Sequence, residues 1–117
     1  MAVGRMELTP VGGEVWWVAP DPAVGREQSG RRPVLVISGE DYHQTVTTLI
    51  MAVPITTRDR GWANHVALEG PHGLDRESWA MTEQVRAISR ERLVLRAGLV
   101  TNACLEAARR WVRDYLQ

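Results

Sequence analysis

Apolar positions along the chain fall into short clusters separated by turn-forming residues, the layout of a β-rich domain. Glu14 to Val18 (EVWWV) is rich in β-branched and aromatic residues and runs into the proline-bounded turn signal APDPAVG at 19–25, which predicts a first strand and its exit loop. Pro33 to Ile37 (PVLVI) and Leu49 to Ile55 (LIMAVPI) are continuous apolar runs, as expected of strands buried on both faces. Pro54 cannot donate to a ladder, so the second run is expected to end or bulge there, leaving Thr56 and Thr57 at a strand terminus. His65 to Glu69 (HVALE) alternates like a half-buried strand. Trp79 to Val85 (WAMTEQV) sets Trp79, Met81 and Glu83 on one face against Ala80, Thr82 and Gln84. Ser89 to Arg92 reads as one helical turn with a serine cap, and Leu93 to Val100 as a further strand interrupted by Gly98.

From Thr101 the period changes. With Thr101 as N-cap, Leu105, Ala108, Val112, Tyr115 and Leu116 recur at helical spacing, with Glu106, Arg109, Arg110, Arg113 and Asp114 mostly on the other face. Many short strands and one terminal helix predict a mainly β fold, a small antiparallel barrel or strongly twisted sheet covered by the helix.

Size and composition narrow this picture. A chain of 117 residues, 44% hydrophobic and 24% charged, suits one globular domain, expected over 13–117 behind a weakly ordered extension at 1–12. No apolar run approaches the roughly 18–20 residues that cross a bilayer, and Met1 to Val11 lacks a signal-peptide core. A cytoplasmic protein with no membrane partner is expected. The lone cysteine, Cys104, has no internal partner and reads as a small apolar residue. Fourteen basic residues balance fourteen acidic ones, so affinity for nucleic acid has to be local. All fourteen are arginine, whose planar fork suits phosphate and base edges, although biased genome composition explains the absence of lysine equally well.

Candidate chemistry is confined to a few places. His43, His65 and His72 lie in separate segments without ligand spacing, so no metal is expected, and each reads as a surface or turn residue. There is no GxSxG elbow, Walker loop or GxGxxG fingerprint. What interrupts the apolar scaffold is GREQSGRR at 25–32. Its glycines allow unusual backbone conformations, and Arg26, Glu27, Arg31 and Arg32 crowd one short loop. The constellation is phosphate-sized; the same composition also suits a solvated turn with a surface ion pair. Two more polar sets end predicted strands: Thr56, Thr57 and Arg58, then Glu83, Gln84 and Arg86. In a small barrel neighbouring strand ends share a rim, so the three sets are expected to converge, an expectation that fails if Arg32 and Thr56 lie far apart.

The stretches GEVWWVAPDPAVGREQSGRRPVLVIS at 13–38, VPITTR at 53–58 and LDRESWAMTEQVRAISRERL at 74–93 closely resemble the MazF/PemK/Kid family of toxin endoribonucleases from toxin–antitoxin pairs. With the terminal helix, the resemblance covers nearly everything after residue 12. It implies an SH3-like barrel, a homodimer, and cofactor-free, metal-independent cleavage of single-stranded RNA at a short sequence, leaving 2′,3′-cyclic phosphate and 5′-hydroxyl ends. It also implies a MazE-like antitoxin that occupies the RNA groove. Carried onto this sequence, the catalytic pair is Arg32 and Thr56; Glu27 and Gln28 match the loop E-Q, Glu83 and Gln84 the acidic-Gln pair, and Arg86 a basic position. Four positions depart from the family pattern. Glu14 and Glu83 stand where aspartate is usual, and Arg26 where relatives carry serine or histidine. Met81 stands where the PemK/Kid branch has an arginine thought to be catalytic, so the Arg32–Thr56 version of the mechanism fits better.

In such a mechanism Arg32, always protonated, stabilises phosphorane charge and Thr56 donates its hydroxyl to the same oxygens. The base is then a carboxylate, Glu27 or Glu83, although family accounts sometimes give proton transfer to the arginine. Arg26, Gln28, Arg31, Thr57, Arg58, Gln84 and Arg86 are candidate RNA contacts. Trp62, in the polar loop RDRGWAN at 58–64, is the best candidate for stacking on a base, with packing on the barrel or a dimer partner as the other reading. Trp16, Trp17, Trp79 and Trp111 read as core or interface residues. Two rival functions remain: a gyrase poison of the CcdB type, which acts through an apolar, tryptophan-bearing C-terminal tip, and an inactive homologue that only binds RNA or antitoxin.

Overall fold

The computed structural model describes residues 9–21 and 30–117. Its elements are β1 (Glu14–Val18), β2 (Arg32–Val36), α1 (Glu40–Thr45), β3 (Leu49–Thr56), β4 (His65–Ala67), β5 (Trp79–Met81), β6 (Arg86–Ser89), β7 (Leu93–Leu99) and α2 (Asn102–Asp114), with 3-10 turns at Thr82–Gln84 and Arg90–Arg92. All strand pairs are antiparallel, in the order β4-β5-β3-β2-β1-β7, with β6 also paired to β3.

Strand β3 organises the sheet. It pairs β2 along one side; along the other it pairs β6 over residues 49–52 and β5 over 55–56. Pro54 falls between those two partners, where no neighbour needs its missing N–H, so the strand runs through it with Pro54 opposite Val34. The expected end at Pro54 is therefore displaced to Thr56.

The continuous apolar run of β2 is explained by burial on two faces. Val34 and Val36 join Trp16, Val18, Ile50, Ala52, Ile88 and Leu93 in one cluster. Leu35, between them, joins Val15, Val53, Ile55 and Ala80 in the other, which α2 covers with Leu105 and Ala108. Each fully buried aliphatic side chain contributes roughly 1.5–3 kcal/mol. Helix α2 starts where its sequence says, with Thr101 Oγ1 accepting the Cys104 N–H at 3.2 Å. Arg109 on its inner side donates to the Ile37 carbonyl at 2.8 Å and fixes the helix to the end of β2. Among the described residues no helix is long and apolar enough to cross a membrane.

Three expectations change. The strand expected over 79–85 breaks after Met81, because Thr82 is fully buried and its hydroxyl donates to the Asn64 carbonyl at 2.7 Å, turning the chain into a 3-10 turn. The strand expected over 65–69 ends at Ala67, and beyond it the Glu69 carbonyl accepts the Thr101 N–H at the start of α2. Helix α1 was not expected. It is held from outside, by a 2.6 Å bond between Ser38 Oγ and His43 Nε2 and by Arg90 donating to the His43 and Val46 carbonyls. His43 and His65 are thus buried, not surface residues.

Candidate RNA-cleaving site

Arg32 opens β2 and Thr56 closes β3. Val34 facing Pro54 is the last pair of the β2–β3 ladder at this end, and its register carried two residues on would bring Arg32 level with Thr56. Both residues share the face of Val34 and Ala52 by strand alternation, so they cap the open end of that buried cluster. The neighbouring pairs, Val18 with Arg32 and Thr56 with Trp79, extend this into a row across β1, β2, β3 and β5.

Arg32 is exposed and Thr56 half-buried. Thr56 Oγ1 accepts the Arg58 N–H at 3.1 Å, which orients the hydroxyl and leaves its own hydrogen to be donated. Beside them lies a cleft of about 330 Å³ with Val18, Val34, Ile55 and Ile88 at its base. Arg32, Arg86, Arg92, Gln84 and Asp21 also line it, so among the described residues three guanidinium groups meet one carboxylate, a balance that favours an anion. Arg92 is anchored there through Nε to the Ala19 carbonyl at 2.9 Å.

Arg31, Thr57 and Arg58 are exposed at the same strand ends, and Gln84 and Arg86 join Arg32 in the cleft. Arg26, Glu27 and Gln28 lie outside the described residues. Glu83 has a different setting. Its carboxylate lies 3.0 and 3.1 Å from His65 Nε2 and accepts from Asn64 Nδ2 at 2.9 Å and Gln84 Nε2 at 3.4 Å. Partial burial pushes its carboxyl up, but bonds from His65, its own backbone N–H and Gln84 outweigh that and hold it below the ordinary value. Trp62 is half exposed, its ring 4.9 Å from that of His65, with the Arg60 guanidinium 5.7 Å from the indole.

Sequence reading missed Asp21 and Arg92 in the cleft and the Asn64–His65–Thr82 network behind Glu83. No local pattern announces a bond between residues 18 positions apart. Cys104 is buried, burial pushes its thiol up, and its sulfur donates to the Ala67 carbonyl, which fits an inert packing role. Among the described residues no three His, Cys, Asp or Glu side chains are placed to hold a metal ion.

Known proteins resemble the chain in sequence and in fold. The endoribonuclease toxin MazF of Escherichia coli is 36% identical over 77 residues, 66% of each chain. Endoribonuclease EndoA of Bacillus subtilis is 32% identical over 83 residues, 69% of this chain and 72% of that one. A chain of the MazE–MazF crystal structure (Form II) from Deinococcus radiodurans superposes with a TM-score of 0.77 at 29% identity, covering 92% of this chain and 96% of that one. The sequence model of the PemK-like, MazF-like toxins matches residues 12–116. That span leaves almost nothing of the chain outside it, and the chain belongs to the PemK-like, MazF-like toxin family of type II toxin–antitoxin systems.

Proposed function

We propose that this chain is the toxin of a toxin–antitoxin pair and a metal-independent endoribonuclease. It cuts single-stranded RNA at a short sequence, leaves 2′,3′-cyclic phosphate and 5′-hydroxyl ends, and so inhibits translation and growth. The observation that carries this reading is Arg32 and Thr56 at adjoining ends of the paired strands β2 and β3, with Arg32, Arg86 and Arg92 lining one cleft.

Cleavage in place requires the 2′-oxygen to lose its proton, attack phosphorus and expel the 5′-oxygen, which takes up a proton. Arg32 directs two N–H donors at the non-bridging oxygens, and Thr56 adds a third through the hydrogen its bond with Arg58 leaves free. These donors strengthen as charge builds on the phosphorane. Of the two candidate carboxylates, Glu83 is already hydrogen-bonded and held acidic, which makes it a weak proton acceptor. Between the two carboxylates this favours Glu27 as the base, with proton transfer to the arginine as the other route. Arg26, Gln28, Arg31, Thr57, Arg58, Gln84 and Arg86 contact the RNA strand, and Trp62 stacks on a base.

The partners are the RNA, a MazE-like antitoxin covering the same groove, and a second copy of this chain in the cytoplasm. The gyrase-poison alternative needs a free tryptophan-bearing tip, whereas Trp111 is half-buried within α2 and Tyr115 is hydrogen-bonded to Thr82. Purified protein incubated with a long RNA in EDTA, followed by mapping of the new ends, tests the reading. Cuts bearing 5′-hydroxyls are expected; intact RNA would mean a binder or a poison.

A further inference from the structure

We propose that His65 and Glu83 form a positioning pair that fixes Trp62 as a preset stacking surface for a base of the bound RNA. The inference rests on the endoribonuclease reading and adds a residue, His65, and a second role for the Glu83 position.

His65 begins β4 opposite Met81, the last residue of β5, and this pairing brings it beside the turn that carries Glu83. The histidine is 7% exposed. Its Nε2 faces both oxygens of Glu83, an acceptor-only group when ionised, so a neutral ring carries its hydrogen on Nε2 and donates it there. Its Nδ1 is buried with no hydrogen-bond partner among the described residues.

What His65 holds is Trp62. The two rings are 4.9 Å apart at 45°, and the His65 N–H closes the turn onto the Trp62 carbonyl at 3.1 Å. Ring and backbone of Trp62 are thus both referenced to His65. Glu83 in turn grips the neighbouring Asn64 at 2.9 Å, so one carboxylate fixes the base of the Trp62 loop at two successive residues. The next residue, Gln84, lines the cleft with Arg32. A single short turn therefore sets the cleft wall and the tryptophan together. An indole that is half exposed yet anchored from beneath stacks on a base with little ordering left to do.

The test uses the full-length chain carrying His65→Phe, Glu83→Ala or Glu83→Gln, each also combined with Trp62→Phe. The first readout needs no RNA: acrylamide quenching of the Trp62 emission, taken as the difference between each protein and its Trp62→Phe counterpart. The second is KM and kcat on an oligoribonucleotide spanning a cleavage site mapped on a long transcript. Glu83→Ala and His65→Phe are expected to make Trp62 about twofold more quenchable and to raise KM about fivefold or more, with kcat changed less than about threefold. Glu83→Gln keeps an oxygen to accept the His65 N–H and is expected to restore both readouts. Three results would each overturn the proposal: quenching unchanged in Glu83→Ala and His65→Phe, KM unchanged by Trp62→Phe, or a loss of about 100-fold in kcat for Glu83→Gln, which would make Glu83 a proton carrier. If the parent chain cleaves no RNA, the endoribonuclease reading fails by itself, and the quenching comparison still decides whether the pair positions Trp62.

Discussion

Tyr115 Oη lies 2.7 Å from Thr82 Oγ1, tying the end of the C-terminal helix to the turn that carries Glu83 and Gln84. The direction of this bond follows from its neighbour. Thr82 has one hydroxyl hydrogen and gives it to the Asn64 carbonyl, so Tyr115 is the donor to Thr82. The helix that covers one core thereby also braces the site turn.

Removing that donor should cost little, because Thr82 keeps its bond to Asn64. Tyr115→Phe is expected to lose about 1 kcal/mol, seen as a lower urea midpoint with an unchanged slope. Thr82→Val should cost more, about 2–3 kcal/mol, since at a fully buried position it removes the donor to the Asn64 carbonyl and the acceptor of the tyrosine hydroxyl together. Equal losses for the two variants would contradict this order.

Arg32 and Thr56 offer the reverse pattern, with large effects on activity and small ones on stability. Thr56→Ala removes one transition-state donor and is expected to lower kcat roughly 100- to 1000-fold. Arg32→Ala should abolish most cleavage, and Arg32→Lys should recover little, because an ammonium cannot reproduce the fork. Arg32 is exposed and both residues lie at strand ends, so unfolding midpoints should stay within about 0.5 kcal/mol of the parent. Substantial activity in purified Arg32→Ala or Thr56→Ala would remove that residue from the mechanism.

The contrast between these two pairs explains what the sequence made legible. The strand β2 and the helix α2 were readable because their order is local: adjacent apolar residues supply two faces, and a threonine cap precedes a 3.6-residue period. Arg32 and Thr56 were readable as polar ends of apolar strands. Their meeting on one face depends on register, where a slip of one residue would turn each side chain to the other face. Helix α1 and the break at Thr82 were not readable, because each is fixed by bonds to residues far along the chain: Arg90 reaches α1 across 47 positions, and Tyr115 reaches Thr82 across 33. Glu83 read as a candidate base for the same reason, its partner His65 being 18 residues away.

The outer strand of the sheet bears on assembly. Among the described residues β7 stands last in the strand order, paired only to β1, and exposes Val94, Leu95 and Leu99. An edge strand with exposed aliphatic residues suits burial against a second copy. The parent chain is expected to show the mass of a dimer by light scattering, and Leu95→Arg combined with Leu99→Arg that of a monomer. An unchanged mass in the double variant would put the contact on another surface.

The buried Ser38–His43 pair makes stability depend on pH in a window of its own. His43 is 7% exposed, and its Nε2 lies 2.6 Å from Ser38 Oγ, which also accepts the Met51 N–H. Burial lowers its pKa below the ordinary 6.5; the Arg90 and Arg109 charges lower it further, against a smaller opposing effect of Glu14. An unfolded chain therefore takes up a proton near pH 6.5 that the folded chain still refuses. The contribution is complete above that pH and shrinks as pH falls through it toward the folded value. Glu83 has the same sign but acts later, since its depressed carboxyl gives up stability only below its ordinary 4.5. The urea midpoint should thus be level from about pH 8 to 7 and decline toward about pH 5.5, before the carboxylates titrate. His43→Gln should lower the midpoint at pH 8 and flatten the decline, because an amide has no proton to take up. A decline as steep in His43→Gln as in the parent would assign the titration to another group.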